Sequence, residues 1–208
     1  MQEPARIPKA KRKAPTRGRP KDPDLEEKVY LAAMRIYSDD GWLGFNFDKI
    51  ARLAGVGKAA LYNRWASREN LLRAALEARW SSQADIDEGS LEADLKALTR
   101  WVLERVASSN IATNMLADAR RYPDFLEAAG PVTARHLKAF RDLLLKSVAR
   151  GELDKSCNID LIVQLISGAL LARFGGPFQT PRPLRKNERE KYIDELVAFI
   201  LGALQKTA

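Results

Sequence analysis

A single cysteine and a single histidine among 208 residues exclude most of the chemistry a chain of this length could carry. Cys157 has no intrachain partner for a disulfide, and together with His136 it makes too small a set for a metal cluster; near a helix start, the thiol reads as buried or half-buried. No nucleophile–base arrangement surrounds His136, which is expected to face solvent on an Arg-rich helix. Gly-rich phosphate loops and catalytic motifs are missing too, so no catalytic residue, cofactor or metal is assigned. No apolar run reaches the ~18 residues a membrane-spanning helix needs, and the start of the chain lacks the apolar stretch of a secretory signal. A cytoplasmic setting without a membrane partner follows as the expectation. The alternation of apolar and polar residues that marks a half-buried strand is also absent.

What remains is a helical, apolar-rich chain with an uneven charge. Apolar residues make up 46% of it, enough for a substantial core. The formal net charge of +8 equals the eight Lys and Arg between Arg6 and Lys21, a stretch with no acid, so a basic arm precedes a balanced body. Such an arm points to a polyanion. Within "PTRGRPKDPDLEE", residues 15–27, Pro20 keeps the residue before it extended, and Gly18 thins the backbone between Arg17 and Arg19. Two arginines on a narrow strand suit the minor groove of A·T-rich DNA, and the stretch resembles an AT-hook core.

A helix is expected directly after the arm, with Asp22 as cap, Pro23 in its first turn and Asp24, Glu26 and Glu27 facing the positive end of its dipole. Leu25, Val29, Ala32, Ala33 and Ile36 form its apolar stripe, and Asp39-Asp40-Gly41 ends it. Asn46 then caps a short helix through Ala54, with Ile50 and Leu53 inward, and Gly55 turns the chain. A second short helix from about Gly57 to Trp65 places Val56, Leu61 and Trp65 toward the core and leaves Lys58, Ala59, Tyr62 and Asn63 outward. Ser67 caps a further helix carrying Leu71, Leu72, Ala75 and Leu76. Two short helices joined at a glycine, the second polar on its free face, are the helix-turn-helix pattern of major-groove readers.

Residues 24–72 resemble the DNA-binding domain of the TetR family of bacterial transcriptional regulators. The resemblance is carried by Gly41, Ile50-Ala51, the run Gly55-Val56-Gly57-Lys58-Ala59-Ala60-Leu61-Tyr62, and Trp65. Gly57 and Ala60 stand where that family usually has a hydroxyl residue, and Trp65 where it usually has Phe. The resemblance implies phosphate contacts from Lys58, Tyr62 and Arg68, close approach at Ala59, and base reading by Asn63 toward adenine and Arg64 toward guanine. Asn46, Arg17, Gly18 and Arg19 complete the expected DNA-binding set.

Beyond Trp80 the segment 90–109 repeats Leu91, Leu95, Leu98, Val102 and Val106 at helical spacing, and further helices are expected over Ile111–Arg121, Pro131–Arg150, Asp160–Phe174 and Glu188–Gln205, the last opened by a capping box of Asn187 and Glu190. A Pro/Gly-rich loop, "GGPFQTPRP", interrupts them. The fold expected is all-α, divided into an arm (1–22), a helix-turn-helix domain (23–80) and a helical effector-binding and dimerisation domain (81–208). The last two helices are apolar nearly all round, which calls for cover on two sides. A four-helix interface between two copies supplies it, with Ile166, Leu170, Phe174, Val197, Leu201 and Leu204 as dimerisation residues. By resemblance, a pocket for a small-molecule effector, its identity unknown, lies among the middle helices. Trp101, Met115, Arg121, Tyr122 and Phe140 are its candidate lining.

These readings converge on a homodimeric, ligand-responsive repressor that binds a palindromic double-stranded operator and is released by its effector. Two alternatives belong to other classes. An architectural A·T-binding protein is opposed by Asn63 on a free helix face, and a small α-helical enzyme by the missing catalytic motifs.

Overall fold

The computed structural model describes residues 23–80, 86–106, 110–175 and 184–205. The arm with Arg17, Gly18 and Arg19, the capping Asp22 and most of the Pro/Gly-rich loop lie outside the described residues. Among the described residues the chain forms nine helices and no strand. They are α1 (Pro23–Gly44), α2 (Phe47–Ala54), α3 (Lys58–Trp65), α4 (Arg68–Trp80), α5 (Leu91–Val106), α6 (Ile111–Arg121), α7 (Pro123–Ala149), α8 (Ile159–Gly175) and α9 (Lys186–Gln205).

Local chemistry explains the first four. Gly41 interrupts α1 at φ 63°, ψ −167°, a conformation open in practice only to glycine, and the chain resumes with one last helical turn. The Asn46 side chain caps α2 by accepting the Lys49 N–H at 3.0 Å, and Gly55 ends it at φ 68° with its own N–H on the Ala51 and Arg52 carbonyls. Gly57 gives α3 no side-chain cap. Ser67 Oγ accepts the Asn70 N–H at 3.2 Å and so caps α4. Leu53, expected inward, is 54% exposed on α2 because Phe47, Ile50 and Ala51 already occupy the buried side.

Two apolar clusters hold the molecule together. The first joins α1–α4 through Val29, Tyr37, Trp42, Leu61, Trp65, Leu71 and Leu72, but also takes in Ile111 of α6 and Phe125, Ala128, Ala129 and Val132 of α7. The second gathers Leu95, Leu98, Leu144, Ile166, Ile193 and Val197 from α5, α7, α8 and α9. Helix α7 thus serves both clusters. It starts at Pro123, in its first turn, and not at Pro131, which the sequence suggests as a boundary.

Pro131 sits inside α7 because a partner supplies what it removes. Having no N–H, it leaves the Glu127 carbonyl without its intrahelical donor. Arg73 of α4 donates to that carbonyl through Nη2 and to Ala128 O through Nε, both at 3.3 Å. Helix α9 also begins earlier than the expected capping box, at Lys186, where Glu188 Oε2 accepts the Arg185 N–H at 3.0 Å. Glu190 instead pairs with Arg100 of α5 at 2.7 Å.

Candidate DNA-binding face and effector pocket

The outward side of α3 carries Lys58, Ala59, Tyr62 and Asn63, all exposed. Tyr62 stands half out of the surface, its ring edge-on to Phe47 at 4.6 Å, so α2 fixes the direction of the phenol. Lys58 Nζ lies 2.7 Å from Asp48 Oδ1 and 5.8 Å from the Tyr62 ring. The hydrogen bond to Asp48 raises the Lys58 pKa and keeps it cationic. These four residues make one continuous exposed ridge with a cation at its start.

Three residues of the expected DNA-binding set are placed otherwise. Arg64 turns back to α1, where it pairs with Glu26 and lies over the Trp65 ring at 5.7 Å, so its guanidinium does not stand on the free face. Arg68 covers the Trp42 ring at 4.0 Å and meets Asp124 of α7 at 3.0 Å, making it a joint between α1, α4 and α7. Asn46 spends its amide on the backbone, accepting from Lys49 N and donating to Gly44 O at 3.1 Å.

The end of α1 is fastened to α6 by polar groups that sequence reasoning did not single out. Asp118 accepts the Tyr37 hydroxyl and the Trp42 N–H, each at 3.0 Å. Asn114 Nδ2 donates to Tyr37 O at 2.8 Å and Ser38 O at 3.0 Å, and the Asn110 N–H donates to Ser38 Oγ at 3.1 Å. The Gly41 turn is what aims the Trp42 N–H at Asp118.

Another face of α6 lines a half-open cavity of about 440 Å³ together with α5, α7, α8 and Arg79 of α4. Met115, Leu116, Phe125, Leu137, Phe140 and Leu170 supply apolar wall, and Arg79, Arg105, His136 and Ser167 supply the main polar groups. Of the expected lining, Met115 and Phe140 face it. Trp101 stands behind it, stacked on His136 at 5.2 Å. Arg121 is exposed at the end of α6, 5.7 Å over Tyr122, and Tyr122 caps α7 against the first core, so neither reaches the cavity. His136 is not solvent-facing: burial, with the nearby Arg105 charge, pushes its pKa down to about 4, so it is neutral at physiological pH. The signal missed was its spacing: it precedes Phe140, an expected lining residue, by one helical turn on the same face.

The sequence carries two family signatures that together span most of the described chain. The family model described as "Bacterial regulatory proteins, tetR family" matches residues 30–75, and the one described as "Tetracyclin repressor-like, C-terminal domain" matches residues 85–198. The chain belongs to the TetR family of transcriptional regulators. Its fold is similar to that of the fatty acid degradation regulator FadR from Bacillus halodurans, with a TM-score of 0.71 at 18% identity over 89% of this chain and 98% of that one. FadR from Bacillus subtilis, solved in complex with stearoyl-CoA, gives a TM-score of 0.68 at 16% identity over 84% and 97%. GusR from Salmonella enterica gives 0.67 at 14% identity over 88% and 96%. No curated protein matches the chain in sequence.

In this TetR-family chain the expected dimerisation residues divide. Ile166, Leu170 and Val197 are buried in the protomer's own second core, and Leu201 and Leu204 pack half-buried against it. The Phe174 side chain lies outside the described residues. Apart from Leu171, which lines the cavity, the exposed large apolar groups described on these helices form the other stripe of each, Leu161 and Leu165 (60% exposed) on α8 and Phe199 (77% exposed) on α9. A helix apolar nearly all round has two such stripes, and only tertiary packing decides which one turns inward.

Proposed function

We propose that the protein is a ligand-responsive repressor that binds a palindromic operator as a homodimer in the cytoplasm, with α3 of each protomer in a major groove. Lys58 and Tyr62 contact phosphate, Ala59 permits close approach, and Asn63 reads a base edge. An effector in the cavity releases the DNA. The observation that carries this reading is the double use of α6: Met115 and Leu116 line the cavity, while Asn114 and Asp118 hold the end of α1. A ligand that displaces α6 must therefore shift the base of the helix-turn-helix unit. The exposed stripes at Leu161, Leu165 and Phe199 supply the dimer contact. The arm adds minor-groove and phosphate contacts outside each half-site through Arg17 and Arg19.

Sequencing DNA that co-purifies with the full chain, followed by a shift assay on the recovered site, tests this. Recovery of a palindrome bound far more tightly than random A·T-rich competitor is the expected result. Equal binding to that competitor would refute operator recognition.

A further inference from the structure

Arg79 lies in the last turn of α4 and Arg105 in the last turn of α5, and each side chain donates to the backbone of the other residue. Arg79 Nη2 bonds Arg105 O, and Arg105 Nε bonds Arg79 O at 3.3 Å. Two cations therefore stand together at two helix ends, where unsatisfied carbonyls draw them. Both also line the cavity, whose other walls are mostly apolar. Burial lowers the pKa of each guanidinium, and for Arg79 the charge of Arg105 adds to the effect. Among the described residues no carboxylate acts on Arg79, and its buried Nε has no hydrogen-bond partner. Ser167 Oγ, on the same cavity, is likewise buried without one. An arginine fork with an unused buried donor next to a second cation is half of a recognition site for a planar anion.

We propose that the effector is an apolar molecule bearing a carboxylate, whose head binds the Arg79–Arg105 pair while its body fills the cavity. This rests on the reading of the cavity as the effector site. The carboxylate takes up the Arg79 Nε–H and draws both guanidiniums off the carbonyls they now cap. The join between the ends of α4 and α5 is then lost. Helix α4 is the element through which Arg68 and Arg73 hold α7, so the loosened end lies on the helix next to α3.

Calorimetric titration of the full chain with decanoate, 1-decanol and decyltrimethylammonium tests the head-group claim. Decanoate should bind about tenfold or more tighter than decanol, the worth of a charge-assisted hydrogen bond, and the cation should not bind measurably. Arg79→Gln and Arg105→Gln should each remove that advantage while leaving decanol affinity within about twofold, and Arg105→Lys, which keeps the charge and loses the fork, should recover part of it. Arg121→Gln, on an exposed arginine away from the cavity, should change nothing. Decanol binding as tightly as decanoate, or decanoate binding indifferent to the Gln variants, overturns the proposal. A parallel operator shift assay separates it from the regulatory reading. Decanoate that binds through the arginines yet leaves operator affinity unchanged supports the site and refutes the cavity as a switch; decanol that releases DNA where decanoate does not has the opposite meaning.

Discussion

Replacing Asp118 tests whether the polar fastening between α1 and α6 holds the helix-turn-helix unit to the body. Its carboxylate receives the Tyr37 hydroxyl and the Trp42 N–H, and both donors belong to residues that are 0% and 1% exposed. Burial first, then the charge and hydrogen bond of Asp118, raise the Tyr37 phenol far above the ordinary tyrosine range, so it stays a donor at any workable pH. Asp118→Ala leaves two buried donors without an acceptor, each costing about 1–3 kcal/mol. Asp118 itself is only half-buried, so water can enter the space it leaves and the lower part of that range applies, about 2–4 kcal/mol in total. That is a large share of the roughly 5–15 kcal/mol that stabilises a domain. Asp118→Asn keeps an oxygen for both donors and loses only the charge assistance, about 1 kcal/mol.

Urea denaturation followed by circular dichroism is the measurement, with thermal melting as a check expected to fall by roughly 4–16 °C for the Ala variant. The ordering matters as much as the size. If Asp118→Ala lies within about 0.5 kcal/mol of the parent chain, or if the Asn variant is the more damaged of the two, the two hydrogen bonds do not carry the attachment and the reasoning fails.

Three further outcomes are expected. Leu165→Glu with Phe199→Glu should give a folded monomer by light scattering, whereas Leu170→Glu, buried in the protomer, should lower the melting temperature; a stable dimer after the first pair of changes refutes the interface. His136, with its pKa at about 4 against an ordinary 6.5, binds its proton more tightly in the unfolded chain, so stability should be full above pH 6.5 and fall toward pH 4. That loss amounts to about 3 kcal/mol, and a His136→Phe chain whose stability tracks the parent over this window would contradict it. Asn63→Ala should relax preference at one base pair per half-site by about 1–3 kcal/mol, while Lys58→Ala weakens all sequences alike; uniform weakening for Asn63→Ala removes its role as a reader.

The helix-turn-helix unit was legible because its signals are local. Asn46, Gly55 and Ser67 cap and turn through bonds to neighbours within a few residues, so spacing alone locates α2, α3 and α4. The long cations were not legible for the converse reason. Arg64 finds Glu26 across 38 residues and Arg68 finds Asp124 across 56, and no periodicity reports such partners. Proline misled in the same way: Pro131 marks a helix boundary only if its freed carbonyl goes unmet, and Arg73 meets it from another helix.

That last arrangement gives the division of labour along α7 a physical basis. The helix passes from the first apolar cluster to the second, and its one interior proline lies where Arg73 reaches over from α4. A continuous helical ladder there would not need Arg73, and the contact would reduce to a screened surface charge worth under about 1 kcal/mol. With Pro131 in place the same arginine donates to a carbonyl that has lost its ordinary i+4 partner, so α4 and α7 are joined where the α7 ladder is broken. Any motion of α7 at the cavity, where Leu137 and Phe140 stand, therefore acts on the helix that carries Arg68 and follows α3.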